Sequence, residues 1–386
     1  MTHTNNPLFT AIDRLDLAHE QVAVLKSQGI MTVGQLYDRA IAQPHGLQAL
    51  LGVTTEALRD LIEQRWPQLA RSAEAMRSAK PWPSAVAGLP DSADDFPEIA
   101  HWRAQRATVS DELASRIRQL RRKRALPTRV SHVEYLPQPY DQGPHGYCVG
   151  FGSTGTRDYL AQRWMSNGYA YRGAKYLDGR PDVEGSFQAF ALEFFYRHGH
   201  VPDALYSYQD AIDDRSVTPL FKKAAEWKIA GYVDLLPEDD YAIVPDLMRG
   251  ILSGRLVEDL GPRNIAVSLA LYQSFNSYTT QRTGLVSLPG TDEPRSGGHA
   301  MNIVGYLDAN DPNGLYDTDW FIVRNSWGLQ WAAENPLGLP GHALIPAAYF
   351  SRPEWLWELL ICIAEPPPRP ALGWLRHFGR GFGKAA

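Results

Sequence analysis

The sequence predicts an α+β protein, with a small all-α segment followed by a larger mixed domain. Three observations carry this. Residues 8–78 place apolar side chains at helical spacing. "KPWPSAVAGLPDSADDFPEIA", residues 80–100, interrupts that pattern with Pro, Ala and acid, and reads as a linker. From Leu126 to about Glu365, Gly, Tyr and Trp become frequent and strand-like apolar runs appear. The expected organisation is a helical module over 1–79, a linker with an amphipathic helix over 80–125, the mixed domain over 126–365, and a tail over 366–386.

In the first module, "AIDRLDLAHEQVAVLKSQGI" sets Leu15, Leu17, Val22, Val24 and Leu25 near one helix face and stops near Gly29. "TVGQLYDRAIA" and "TTEALRDLIEQRW" follow as two shorter helices, with Thr54 or Thr55 capping the latter. "GIMTVGQL" and "LGVTTEAL" repeat one order: a Gly, a β-branched residue, then a Thr that starts a helix. This resembles helix-hairpin-helix modules. Such modules bind nucleic-acid backbones through helix N-termini, or serve as protein-interaction modules. Few Lys or Arg lie at the hairpins, with Lys26 just before the first, so a protein partner is favoured over nucleic acid.

"VSDELASRIRQLRRKRAL" reads as an amphipathic helix ending on Arg121–Arg124, where positive charge suits a helix C-terminus. A propeptide-like, protease-sensitive or partner-binding segment is the open alternative. In the mixed domain, "IAVSLALY" and "HAMNIVGYL" read as strands, and "WFIVRNSW" as a strand with a polar end. The tail is a Pro-rich spacer with a basic, aromatic, Gly-rich end, and is expected to be flexible.

Composition narrows the function. Hydrophobic residues make up 44% and charged residues 21%, as in a soluble globular chain. A net charge of −5 disfavours nucleic-acid coating or a polybasic membrane surface. No run of about 18 apolar residues occurs, so no membrane span is expected. Cys148 and Cys362 cannot form a disulfide framework, and no basic start leads into an apolar run. A reducing, cytoplasmic setting follows, with signal-independent export left open. No Cys/His cluster has metal-ligand spacing, so neither metal nor cofactor is expected. Cys362, in "WELLICIAE", reads as a buried core thiol.

Cys148 is different. It lies in "DQGPHGYCVGFG", among Gly143, Gly146, Gly150 and Gly152. A cysteine nucleophile works as thiolate, and its free pKa of about 8.5 is too high at neutral pH. A helix N-terminus beneath it and an imidazole beside it supply the remedy. "CVGFGSTGTRDYLAQRWM" follows directly, with Phe151, Tyr159 and Trp164 suited to a buried face. Cys148 therefore starts a helix whose dipole favours the thiolate. The preceding glycines let the chain turn and bring N–H groups toward a substrate carbonyl. This predicts an exposed, acidified thiol.

Among eleven histidines, His101, His132, His198 and His200 sit in polar or loop-like contexts. His299, in "SGGHAMNIVGYLD", stands where two glycines lead into an apolar strand. Asn325, in "FIVRNSWGLQW", ends another strand with Trp327 close by. An Asn carbonyl can accept a ring N–H, and a Trp can shield that bond from water.

These segments together resemble the papain-like cysteine peptidases, of bacterial type. "DQGPHGYCVGF" matches the family's glutamine-to-cysteine segment, "GGHAMNIVGY" its histidine segment and "RNSWG" its asparagine segment. "EGSFQAFALEFFYRHGHVPDALYSY" resembles the stretch that opens on a substrate-lining glycine pair, here Gly185-Ser186. The resemblance spans roughly 126–365. It implies a two-lobed domain, one lobe helical and one β-barrel-like, with a cleft between them. It implies Cys148 as nucleophile, His299 as general base and acid, Asn325 as the residue orienting His299, and Gln142 as oxyanion-hole donor beside the Cys148 N–H. It implies Trp327 as a cover for the His–Asn pair, and Gly185, Ser186 and Gly298 as cleft residues. A protein or peptide would be the substrate.

The chain also departs from the family pattern. A cysteine usually stands three residues before the nucleophile, paired in a disulfide; here it is His145. Val149 replaces the usual aromatic residue, and "WAAENPLGLPGHAL" makes a longer loop after the asparagine segment. "PGTDEPRSGG" reads as an insertion. Two alternatives stay open. The same triad can deamidate or transfer acyl groups, and an idle peptidase domain can serve as a binding module.

Overall fold

A computed structural model describes residues 6–71 and 126–363, apart from residue 238 and residues 257–259. The expected linker, the helix ending on Arg121–Arg124, His101 and the tail lie outside the described residues.

The N-terminal segment folds as α1 His19–Ser27, α2 Val33–Ala42, α3 Pro44–Leu51 and α4 Thr55–Arg65. The sequence reading had no helix at α3, which opens on Pro44, the residue that fits a first helical turn. Thr32 and Gln35 form a capping box at α2, each side chain bonded to the other's backbone N–H. Thr54, rather than Thr55, caps α4 by accepting the Ala57 N–H. Ile12, Leu25, Ile30, Val33, Leu36 and Ile62 meet in one apolar core.

The second region is built on an antiparallel sheet. Its strands are β1 Arg129–Ser131, β2 Gly231–Asp234, β3 Ile265–Tyr272, β4 Arg295–Leu307, β5 Trp320–Arg324, β6 His342–Pro346 and β7 Leu356–Ile363. They run in the order β2-β7-β3-β4-β5-β6, with β1 also on β4. The predicted apolar runs are β3, β4 and β5. Period-2 alternation sorts their side chains. Val267, Leu269, Met301 and Ile303 enter one core with Trp327 and Trp331. Ala266 and Ala300 turn to the other face and join the core of the helical lobe.

That lobe contains α5 Cys148–Ala161, α6 Asn167–Asp178 and α7 Gln188–Arg197. Short helices α8 Tyr208–Ile212 and α9 Phe221–Ala224, with α10 Val244–Leu252 and α11 Tyr278–Thr283, occupy the connections. α5 lies directly on β4. A Cβ at Gly152 would come within 3.0 Å of the Met301 backbone, and one at Gly155 within 2.7 Å of the Asn302 side chain. These helix glycines therefore serve close helix–sheet approach rather than a flexible turn. Several buried links join the lobes, two of them through carboxylates. Glu358 of β7 accepts the Gln188 and Ala189 N–H groups at the start of α7, at 3.1 and 2.9 Å. Asp158 of α5 lies 3.6 Å from Arg324 of β5.

The N-terminal helices pack on the sheet lobe. Asp38 accepts the Thr279 N–H at the start of α11, at 2.8 Å. The Arg39 guanidinium donates to Leu288 O. Met31 packs with Leu285, Val304, Trp320 and Leu344.

One sequence expectation changes here. Trp164 lies beyond the end of α5 and is 60% exposed, so it is not part of the helix's buried face. His132 and His200 lie in loops, as expected, but are fully buried; His132 bonds Asn264 at 2.7 Å and His200 bonds Ser166 O at 2.9 Å. Cys362 is a buried thiol beside Thr156, as expected.

Candidate active site

Cys148 is the first residue of α5, with Tyr147 at the N-cap. The thiol thus faces the unsatisfied N–H groups of a helix start. The expected exposure is not found: Cys148 and His299 are fully buried, because α5 starts against β4 at this point. The Ala300 N–H of β4 points at the Cys148 sulfur, 3.5 Å away. His299 precedes Ala300 on that strand, so the imidazole and the thiol are held at the same point of β4.

His299 Nε2 lies 2.7 Å from Asn325 Oδ1. The same Asn325 atom accepts the Ser326 N–H at 2.8 Å. A backbone N–H can only donate, so that atom is the amide oxygen, and His299 Nε2 must carry the proton. Nδ1 is left with a lone pair and no hydrogen-bond partner among the described residues. Trp327 lies over the ring, 4.8 Å between centroids at 28°. Phe275 and Trp331 pack behind Trp327. Burial pushes the His299 imidazole down to about 4, with the Asn325 hydrogen bond pulling the other way. The resting ring is therefore neutral and able to take a proton.

Gln142 is held from both sides. Its N–H donates to Ser326 O at 2.8 Å, and its side-chain oxygen accepts the Ser326 hydroxyl. Tyr208 Oη donates to Gln142 O at 2.7 Å. Asp141 pairs with Trp327 in an isolated antiparallel bridge. The glutamine and asparagine segments, far apart in sequence, are thereby one structural unit. Gln142 Nε2 donates one hydrogen to His145 O at 2.8 Å, leaving its second hydrogen for another acceptor.

His145 pairs with Glu184, Nδ1 to Oε1 at 3.3 Å, on the outer side of the turn. Gly185 has φ +88, a value that favours glycine. Ser186 is buried, and its hydroxyl donates to Asp178. Gly298 pairs with Ala270 in the β3–β4 register, one residue before His299.

The fold thus assembles Gln142, Cys148, His299, Asn325 and Trp327 into one cluster. Sequence reasoning missed Ser326, which ties Gln142 to Asn325 through backbone and hydroxyl; it stood unread inside "RNSWG". It also missed the buried Lys175 and Asp178 behind Gly185.

A family model described as papain family cysteine protease matches residues 141–335. An uncharacterized peptidase C1-like protein of Acanthamoeba polyphaga mimivirus is 25% identical over 247 residues, 61% of this chain and 72% of that protein. Cathepsin L of Sarcophaga peregrina is 28% identical over 206 residues, 50% of this chain and 52% of its own length. The solved structure of xylellain, a cysteine protease from Xylella fastidiosa, superimposes with a TM-score of 0.52 at 19% identity, covering 74% of this chain and 98% of that one.

Proposed function

Because the chain belongs to the papain family of cysteine proteases, we propose that its hydrolysis of peptide bonds runs through Cys148 and His299. His299 Nδ1 takes the thiol proton as the sulfur attacks the scissile carbonyl, forming the C–S bond. The carbonyl oxygen becomes an oxyanion, bound by the Cys148 N–H and the second hydrogen of Gln142 Nε2. Collapse breaks the C–N bond, and His299 returns its proton to the departing amine. Water then attacks the thioester, giving its proton to His299, and the acid is released as the thiol reforms. Asn325 keeps the ring oriented, and Trp327 keeps water from the His299–Asn325 bond. Gly185, Ser186 and Gly298 line the cleft, where the substrate backbone lies extended.

The observation that carries this reading is the His299 ring. It is fixed at Nε2 by Asn325 and has its Nδ1 unpartnered among the described residues, on the strand whose next N–H meets the Cys148 sulfur.

The N-terminal helices regulate this activity through the lobe they pack on. The Gly29 turn of the first hairpin lies against Leu288, where a Cβ would come within 2.8 Å of the backbone nitrogen. That contact supports a protein-interaction role over nucleic-acid binding for the helix-hairpin-helix-like module. The bacterial type is a further part of this proposal.

The test is identification of new protein N-termini in a proteome treated with wild type or with Cys148→Ala. Wild-type cleavage that disappears in the variant is expected. Mass gains of about one dalton without new termini would indicate deamidation instead. Cleavage retained by Cys148→Ala would remove Cys148 from the reaction.

A further inference from the structure

Lys175 and Asp178 form a buried ion pair that the hydrolysis does not use. They lie in the last turn of α6, 2.7 Å apart, with 4% and 0% of their side chains exposed. Isolated pairs of this kind add little stability, because desolvation offsets attraction. Their other contacts show where they act. Lys175 Nζ also donates to Gly185 O at 3.0 Å. Asp178 Oδ2 accepts the Ser186 hydroxyl at 2.8 Å, and Oδ1 accepts the Arg180 N–H at 2.9 Å.

The same loop is fastened on its other side. The Gly185 N–H donates to Tyr171 Oη at 3.3 Å, and Tyr171 stacks on Tyr147, 3.7 Å between centroids, at the N-cap of α5. Glu184 accepts the Gly146 N–H at 2.8 Å and faces His145. His145 stands where the family resemblance places a disulfide-bonded cysteine. Residues 184, 185 and 186 are thus each anchored, and none of these bonds uses the Ser186 N–H or C=O.

We propose that Lys175, held by Asp178, is a positioning residue for substrate binding: it fixes the Gly185–Ser186 wall so that the Ser186 backbone pairs with an extended peptide. A non-covalent fastening thereby does what a disulfide does elsewhere. The inference rests on the reading of Gly185 and Ser186 as cleft residues. It assigns Lys175 no contact with the scissile bond, so its loss weakens binding rather than chemistry.

The test compares wild type, Lys175→Met and Lys175→Met/Asp178→Asn. The double variant is neutral at both positions and keeps an acceptor for Ser186, so it carries the test if the single variant fails to fold. Three assays are run: kcat and KM for a fluorogenic hexapeptide, turnover of a short acyl-glycine ester, and the rate of Cys148 alkylation by iodoacetamide. KM for the hexapeptide should rise about tenfold with kcat little changed, the size expected for loss of one or two hydrogen bonds. Ester turnover and alkylation should stay at the wild-type rate. An unchanged hexapeptide KM, or an equal fall in hexapeptide kcat/KM, ester turnover and alkylation rate, overturns the proposal. A wild type that cleaves no peptide overturns the underlying reading, and the proposal with it.

Discussion

Asn325 Oδ1 accepts two hydrogen bonds at once, from His299 Nε2 at 2.7 Å and from the Ser326 N–H at 2.8 Å. The backbone bond fixes the amide, and the amide fixes the imidazole tautomer. Asn325→Ala should therefore lower kcat by about 10² or more, within the 10²–10⁴ that general acid–base catalysis supplies. Cys148→Ala should be more severe, since it removes the nucleophile. Steady-state kinetics on one peptide substrate compare the two, and equal losses would count against a purely orienting role for Asn325.

Asp158 and Arg324 tie α5 to β5, the strand that leads into Asn325. Arg324 also donates to Pro137 O and Gln138 O, at 3.0 and 2.9 Å. Burial raises the Asp158 carboxyl to about 7, although Arg324 opposes this. Asp158→Ala leaves a buried guanidinium without its counter-charge and should cost about 3–5 kcal/mol. Urea unfolding measures this. A loss below about 1 kcal/mol would mean that the pair is solvated.

Removal of the N-terminal helices should destabilise the enzyme. A chain starting near Ala125 loses Met31 from its contacts with Leu285, Trp320 and Leu344, and loses Asp38 from the start of α11. α11 in turn holds the loop that carries Trp331, through the Ala332 N–H to Gln281 O at 2.8 Å. Lower thermal stability and slower small-peptide turnover are expected together. Faster turnover at unchanged stability would show that these helices inhibit the enzyme instead.

Stability should fall in mild acid. Burial holds His132, His299 and His342 at about 4 and His200 at about 3, against 6.5 for a free ring. The unfolded chain protonates first, so the stability these neutral rings contribute is complete above about 6.5 and is lost as pH falls toward about 4. Asp38 and Asp158 act in reverse. Burial raises them to about 6 and about 7, so the folded chain protonates first and gains stability as pH falls through those values. Burial raises the Asp203 and Glu358 carboxyls in the same sense; with the four rings setting the net sign, the urea midpoint should decline from about pH 6.5 to about pH 4. His200→Phe, which keeps the stacking on Phe195, should make that decline shallower.

The sequence by itself determined what local rules govern. Apolar, β-branched runs marked β3, β4 and β5, the threonines marked the starts of α2 and α4, and the glycine-rich turn marked Cys148 as a helix start. The motif segments named Gln142, His299 and Asn325, because each role needs one residue type in one short context. Only the tertiary structure decided which distant groups meet. That α5 buries the thiol against β4, that Trp164 stays exposed while His132 and His200 do not, and that Met31 and Asp38 pack on the sheet lobe all follow from docking. Lys175 and Asp178 look like an ordinary charged helix end until Gly185 and Ser186 close over them. Burial and long-range pairing depend on strand register and on how closely elements approach, and no short window of sequence contains both partners.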